Sequence, residues 1–314
     1  MKTTIRLLGI LFFLSSYQMV LAQKSIRDYV NKNGSDKIKK SVLMDAFTKP
    51  AKAKSFKDGH GKNPYFTSKD QLPDTVALIT FNISDLGATT ITKTEGPYYT
   101  TIYTDNYNVG EKNGNIIANK IHSQSINSLK EEFKKHGVVL LTPSEYLNTP
   151  EKKAAYQKFT SVVSKLGKFL SNIENRNTDL SVCANSYRYF DLAAAFDALR
   201  SESLGYDLTK ILGVDAVLSI GVIIQTNKKE GYFRSVKIAL HGPNPNPKMD
   251  KKYIGQKTGN GYNKGQLYVG GTFSLKNPIK FMEYSKKTIE VDGIDIIFNS
   301  MIQRFYDEIN ATIQ

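Results

Sequence analysis

The stretch ILGVDAVLSIGVIIQT, residues 211–226, decides how this chain folds. Leu212-Gly213 has the form of a helix end, because glycine accepts the left-handed backbone of a C-cap at no steric cost. From Asp215 to Thr226 the run carries no charge after its first residue. Those 12 residues fall short of the ~20 that a membrane-spanning helix needs. They also lack the apolar–polar alternation of a half-exposed strand. A short, uniformly apolar, β-branched run entered through a capped helix is the buried centre of a sheet covered on both faces. No reactive group follows it closely. Asp215, at its first position, is expected to accept backbone hydrogen bonds there.

Similar elements lie on either side. TVALITFNI (75–83) reads as a strand, and residues 115–135 as a helix whose stripe is Ile117, Ile121, Leu129 and Phe133, with Ile126 beside it. His136-Gly137 ends that helix and VVLLTP forms the next strand. YFRSVKIALHG and QLYVGGTFSL supply two more, the Gly-Gly of the second suggesting a bulge or bend. A final helix, 294–311, lines up Ile297, Met301, Phe305 and Ile309 on one face. Between the first strand and its helix, Thr/Ile/Tyr-rich arms around Gly96-Pro97 predict a hairpin, too rich in hydroxyls and charges for a lipid-facing pair. The fold class is therefore α/β (α+β): a mixed β-sheet of about five strands covered by helices.

Around this body the chain is less regular. Residues 1–22 have the form of a secretory signal: Lys2 and Arg6, then an apolar stretch, then Val20-Leu21-Ala22 as a peptidase site. That places the mature protein in the periplasm or outside the cell, and no cysteine follows the expected cut to carry a lipid. Residues 23–72 read as a basic, partly disordered extension in which SIRDYVNK and SVLMDAF each suit a short helix, and 73–314 as one α/β domain with a helical insertion at 151–205 and a basic loop at 243–266. Segments 151–172 and 189–199 read as helices within that insertion. The formal charge of +14 becomes +12 without Lys2 and Arg6; segments 23–72 and 227–265 each carry +7, leaving −2 for the rest.

The patterns TVALITFNI, GVVLLTPSEY and LTKILGVDAVLSIGVI, in that order and followed by an amphipathic helix, resemble a bacterial envelope family. It includes the periplasmic domain of the curli-secretion protein CsgG, the penicillin-binding-protein activator LpoB and the N-terminal domain of TolB. The resemblance covers roughly 75–83, 115–147 and 207–242. It implies a CsgG/TolB-N-like sheet, an envelope location, and work done through protein contacts. The CsgG proteins are lipoproteins that form pores through lipid-facing hairpins; this chain has neither the lipidation cysteine nor apolar hairpin arms.

No motif for a cofactor or a reaction is present: no Walker loop, no Gly-x-Ser-x-Gly elbow, no zinc spacing among His60, His122, His136 and His241. His122 reads as a partly buried structural residue and the single cysteine, Cys183, as a small buried side chain. Glu131-Glu132 and Asp307-Glu308 read as solvated charge. The best candidate for a binding surface is the basic loop, where Lys248, Lys251, Lys252, Lys257 and Lys264 interleave with Tyr253, Tyr262 and Tyr268. Cations with rings suit an anionic polymer. For an exported protein that means an envelope protein, an acidic polysaccharide or lipopolysaccharide rather than nucleic acid; the alternative is a loop kept soluble by its charge. The expected function is non-enzymatic binding, with a structural subunit of a homo-oligomeric assembly as the alternative and an envelope-glycan hydrolase as a third.

Overall fold

The structure, a computed structural model, describes residues 25–44, 68–97, 99–159, 180–190, 203–243, 246–248 and 265–313. At its centre is strand β7 (Ala216–Thr226), the opening stretch, with β2 (Thr75–Asp85) parallel on one side and β8 (Glu230–Pro243) antiparallel on the other. The sheet continues through β9 (Gly265–Glu283) to β1 (Leu43–Met44), and past β2 to the parallel β5 (Val139–Leu141). Short strands β6 (Leu180–Cys183) and β10 (Thr288–Ile289) pair antiparallel with β2 and β9. The sheet is therefore mixed and eight-stranded. The five members that the sequence marks are the long β2, β7, β8 and β9 and the three-residue β5. The other three have two to four residues, too few to carry a periodic signal.

One face of the sheet packs on three helices: α1 (Ile26–Ser41), α2 (Glu111–Lys135) and α6 (Ile294–Thr312). Alternate residues Leu218, Ile220, Val222 and Ile224 of β7 enter this core and are completely buried. Each such side chain removed from water stabilises the fold by about 1.5–3 kcal/mol before entropy is counted. The α2 and α6 stripes are buried as expected. Gly213 caps the short helix α5 (Thr209–Leu212) in the left-handed region, with φ 68°. Asp215 accepts from the amides of Asp74 and Thr75, both at 2.9 Å, and so ties the start of β7 to the start of β2.

The opposite face is covered at one end by a smaller core. It contains Tyr146 of α3 (Pro143–Tyr146), Tyr156 of α4 (Pro150–Lys158), Phe190, Leu204, Leu208, and Leu212 of α5. A bulge in β2 between Leu78 and Thr80 sets this layer, because it withdraws carbonyls from the ladder. The Tyr146 hydroxyl donates to Leu78 O at 3.1 Å and the Tyr156 hydroxyl to Ile79 O at 2.6 Å, while Tyr156 accepts from Arg188 N at 3.1 Å. Two phenols thus pair the backbone groups at the irregularity.

Four expectations change. First, residues 25–44, assigned to a basic extension, belong to the body: Ile26, Val30, Ile38 and Val42 lie in the main core, and β1 joins the sheet. Gly34, at φ 70° and ψ 159°, breaks α1 into two pieces; the first takes in the short helix expected at SIRDYVNK, whereas Leu43 and Met44 of SVLMDAF are strand. Second, the insertion is woven into the body, since β6 extends the sheet and Tyr156 and Phe190 are core residues. Residues 189–190 are not helical, and the remainder of both helices read there lies outside the described residues. Third, the Gly270-Gly271 pair keeps regular register; a Cβ on Gly271 would meet Phe305 at 2.9 Å and Val42 at 3.0 Å, so glycine there admits close packing of α6 and α1. Fourth, Glu132 is buried, paired with Lys135 at 2.8 Å and 3.8 Å from the His136 ring.

Candidate functional site

Two of the eight candidate binding residues, Lys248 and Tyr268, are described, and both are already engaged. Lys248 Nζ pairs with Asp74 at 2.6 Å and donates to Leu72 O at 2.9 Å, fastening the loop root to the entry of β2. Tyr268 is buried, its hydroxyl donates to Pro243 O, and its ring lies against Gly242, where any Cβ would collide. These two are 20 residues apart in sequence and act as structural ties at the loop's flanks. Lys251, Lys252, Tyr253, Lys257, Tyr262 and Lys264 lie outside the described residues, as does the signal-like segment 1–22.

Among the described residues, the cysteine and the three histidines lie where burial disfavours their charged forms. Cys183 is half-buried rather than buried; this partial burial pushes its thiol up to about 11, with Thr80 Oγ1 4.0 Å away. Burial, with a small contribution from the Lys237 charge, drives His241 down to about 3, so it stays neutral. Burial also lowers His122, whose Nε2 is 3.0 Å from the Tyr187 hydroxyl, and His136, which stacks on Tyr306 at 3.7 Å. Among the described residues no three His, Cys, Asp or Glu side chains are grouped to hold a metal. Thr80, Asn82 and Ser219 form a buried polar row on the second face of the sheet, and Ser219 Oγ has no partner among the described residues. None of the three titrates.

The exposed feature is at the other end of the central strands. Among the described residues, strands β3 (Ala88–Gly96) and β4 (Tyr99–Tyr107) pair only with each other, as a two-stranded sheet apart from the main one. Nine residues per strand make an arm about 30 Å long. Ile91, Ile102 and Tyr103 are 60%, 59% and 61% exposed, among the largest apolar exposures of the described chain. Ile91 and Ile102 share one face of the arm and Tyr103 lies on the other, as the register dictates.

Its root is anchored by a residue that no motif points to. Asp85, the last residue of β2, is 1% exposed, and its carboxylate accepts from the amides of Gly87, Val109 and Thr226 at 2.9, 2.8 and 2.9 Å and from the Thr226 hydroxyl. Gly87 and Val109 are the two ends of the hairpin, and Thr226 is the last residue of β7. Gln225 donates to Gly87 O at 3.1 Å, Lys228 pairs with Asp105, and Tyr107 packs edge-on against Tyr284 at 6.2 Å. The only sequence signal was position: a carboxylate closing an apolar strand, before a glycine.

No protein-family model, curated protein or solved structure matches this chain.

Proposed function

We propose that this is an exported, non-enzymatic protein of the bacterial envelope that acts by holding a protein partner, in an assembly or accessory role. The observation that carries the reading is the β3–β4 arm: two long strands with open edges and exposed isoleucine and tyrosine, fixed to the central strands by Asp85. An open β-edge recognises backbone, so a polypeptide suits it better than a glycan. The sequence supports the location through residues 1–22 and through the envelope-family resemblance. An anionic glycan at the basic loop is the rival partner, and its two described members, Lys248 and Tyr268, are committed to internal bonds.

The test is chemical cross-linking of the purified protein in envelope extract, comparing Ile91→Lys/Ile102→Lys with Lys251→Glu/Lys252→Glu/Lys257→Glu. The arm variant is expected to lose its protein adduct while the loop variant keeps it. Loss with the loop variant alone, or release of sugar from envelope glycan by the unaltered protein, would overturn the reading.

A further inference from the structure

An isolated two-stranded hairpin is marginal in water, and its open edges invite a further strand. The two edges of this arm differ in their protection. The β3 edge carries Lys93 and Glu95 and ends in Gly96, and an edge lysine is a common guard against pairing. The β4 edge, YTTIYTDNY, has no lysine, arginine, proline or glycine, and seven of its nine residues are β-branched or aromatic. Such a composition favours strand pairing.

The register makes this edge complementary to itself. The hairpin closes on Gly96 opposite Tyr99, and the alternation of an antiparallel ladder then turns the N–H and C=O groups of Thr100, Ile102, Thr104 and Asn106 outward. A two-fold axis through Tyr103, the middle residue of the strand, sets Ile102 against the second copy's Thr104 and Thr100 against its Asn106. All four outward-facing residues find partners, giving about eight backbone hydrogen bonds. Asp105 meets Thr101, so no like charges oppose one another. Thr104 already lies opposite Ile91 within the hairpin, so each threonine becomes flanked by two isoleucines from different chains. The tyrosines at position 103 meet at a non-hydrogen-bonded site, where side chains are closest.

We propose that the occupant of the β4 edge is the same edge of a second copy, giving a closed dimer with a four-stranded arm. This rests on the reading of the hairpin as the contact element and names what one of its edges binds; isologous pairing closes after two chains. The face carrying Lys93 and the β3 edge stay free for another protein.

Cysteine cross-linking and sedimentation test it on the purified full chain. Non-hydrogen-bonded antiparallel pairs hold their Cα atoms at about 4.5 Å, within disulfide reach. Under mild oxidation Tyr103→Cys is expected to give a covalent dimer several-fold faster than Lys93→Cys, with the unaltered protein as the control for Cys183. Thr104→Pro removes an outward-facing N–H while sparing the hairpin's internal bonds, and is expected to sediment as a monomer at concentrations where the unaltered protein is dimeric. A monomeric unaltered protein, or cross-linking no faster at 103 than at 93, would overturn the proposal; should Thr104→Pro misfold, the cysteine pair still decides. A monomeric chain that keeps its hairpin-dependent envelope adduct would sink the dimer and leave the broader reading standing.

Discussion

Replacing Asp85 by asparagine tests whether one carboxylate fixes the arm to the body. In the native protein its two oxygens take four donors: Gly87 N and Thr226 N on Oδ1, Val109 N and the Thr226 hydroxyl on Oδ2. Asparagine fits the same space but offers one oxygen, and its amide hydrogens then face two donors at a site 1% exposed. Each buried donor left without an acceptor costs about 1–3 kcal/mol, and the bonds that remain lose the strengthening of a charged acceptor. The expected loss is about 3–5 kcal/mol, a large part of the 5–15 kcal/mol by which domains are ordinarily stable. The loss should also be localised, because Gly87 and Val109 are where the hairpin leaves and re-enters the body. Urea denaturation gives the total, and hydrogen exchange followed by mass spectrometry gives its location. Residues 88–107 should exchange much faster in Asp85→Asn while the β7–β8 pair keeps most of its protection. A loss below about 1 kcal/mol with unchanged exchange in the hairpin would refute the reasoning.

Two further outcomes follow from buried titrating groups. With its thiol raised from 9.0 to about 11, Cys183 holds about a hundredfold less thiolate at pH 8 than an ordinary cysteine. Its labelling by a disulfide reagent should be slow in the folded protein and fast in urea; rapid native labelling would contradict the burial. His241 takes a proton at an ordinary 6.5 when unfolded but only at about 3 when folded, so the unfolded chain binds the extra proton between those values. Stability should therefore fall as pH drops from about 6.5 toward about 3, by up to about 1.4 kcal/mol per pH unit from this group, and His241→Gln should flatten the acid limb by that much. Parallel pH profiles for the two proteins would count against a neutral buried imidazole.

The long elements were legible because each repeats one period over nine residues or more. Uniform apolar character placed β7 in the middle, the i, i+4 stripes placed α2 and α6 against it, and Gly96-Pro97 marked the hairpin. What escaped was short, interrupted or polar. Helix α1 carries its core residues on two segments separated by Gly34, with lysines between, so only its first piece read as helix and its place in the core was hidden. Strands β1, β6 and β10 exist because a longer neighbour offers them an edge, a tertiary fact without local signature. The site was less legible still. Lysines and tyrosines in a Pro- and Gly-rich loop suggested a ligand, whereas Lys248 and Tyr268 close internal bonds. Asp85 was hidden because a structural carboxylate is recognised by the amides that converge on it, and these come from positions 87, 109 and 226. Glu132 looked solvated because its burial depends on what packs against the helix end, although its partners Lys135 and His136 are only three and four residues away.

The packing of α1 against α6 has a consequence for the order of events in synthesis. Arg27 pairs with Asp292 and Lys39 with Asp307, and Ile26 and Val30 share a core with Ile297 and Met301. The first described helix therefore meets its partner only when the last helix has been made. Until then α1 can rest only on β9, through Tyr29 against Phe273, and the sheet lacks one of its three covering helices. The contact between α1 and α6 joins segments more than 250 residues apart, so it is among the last in the described fold that a growing chain can close.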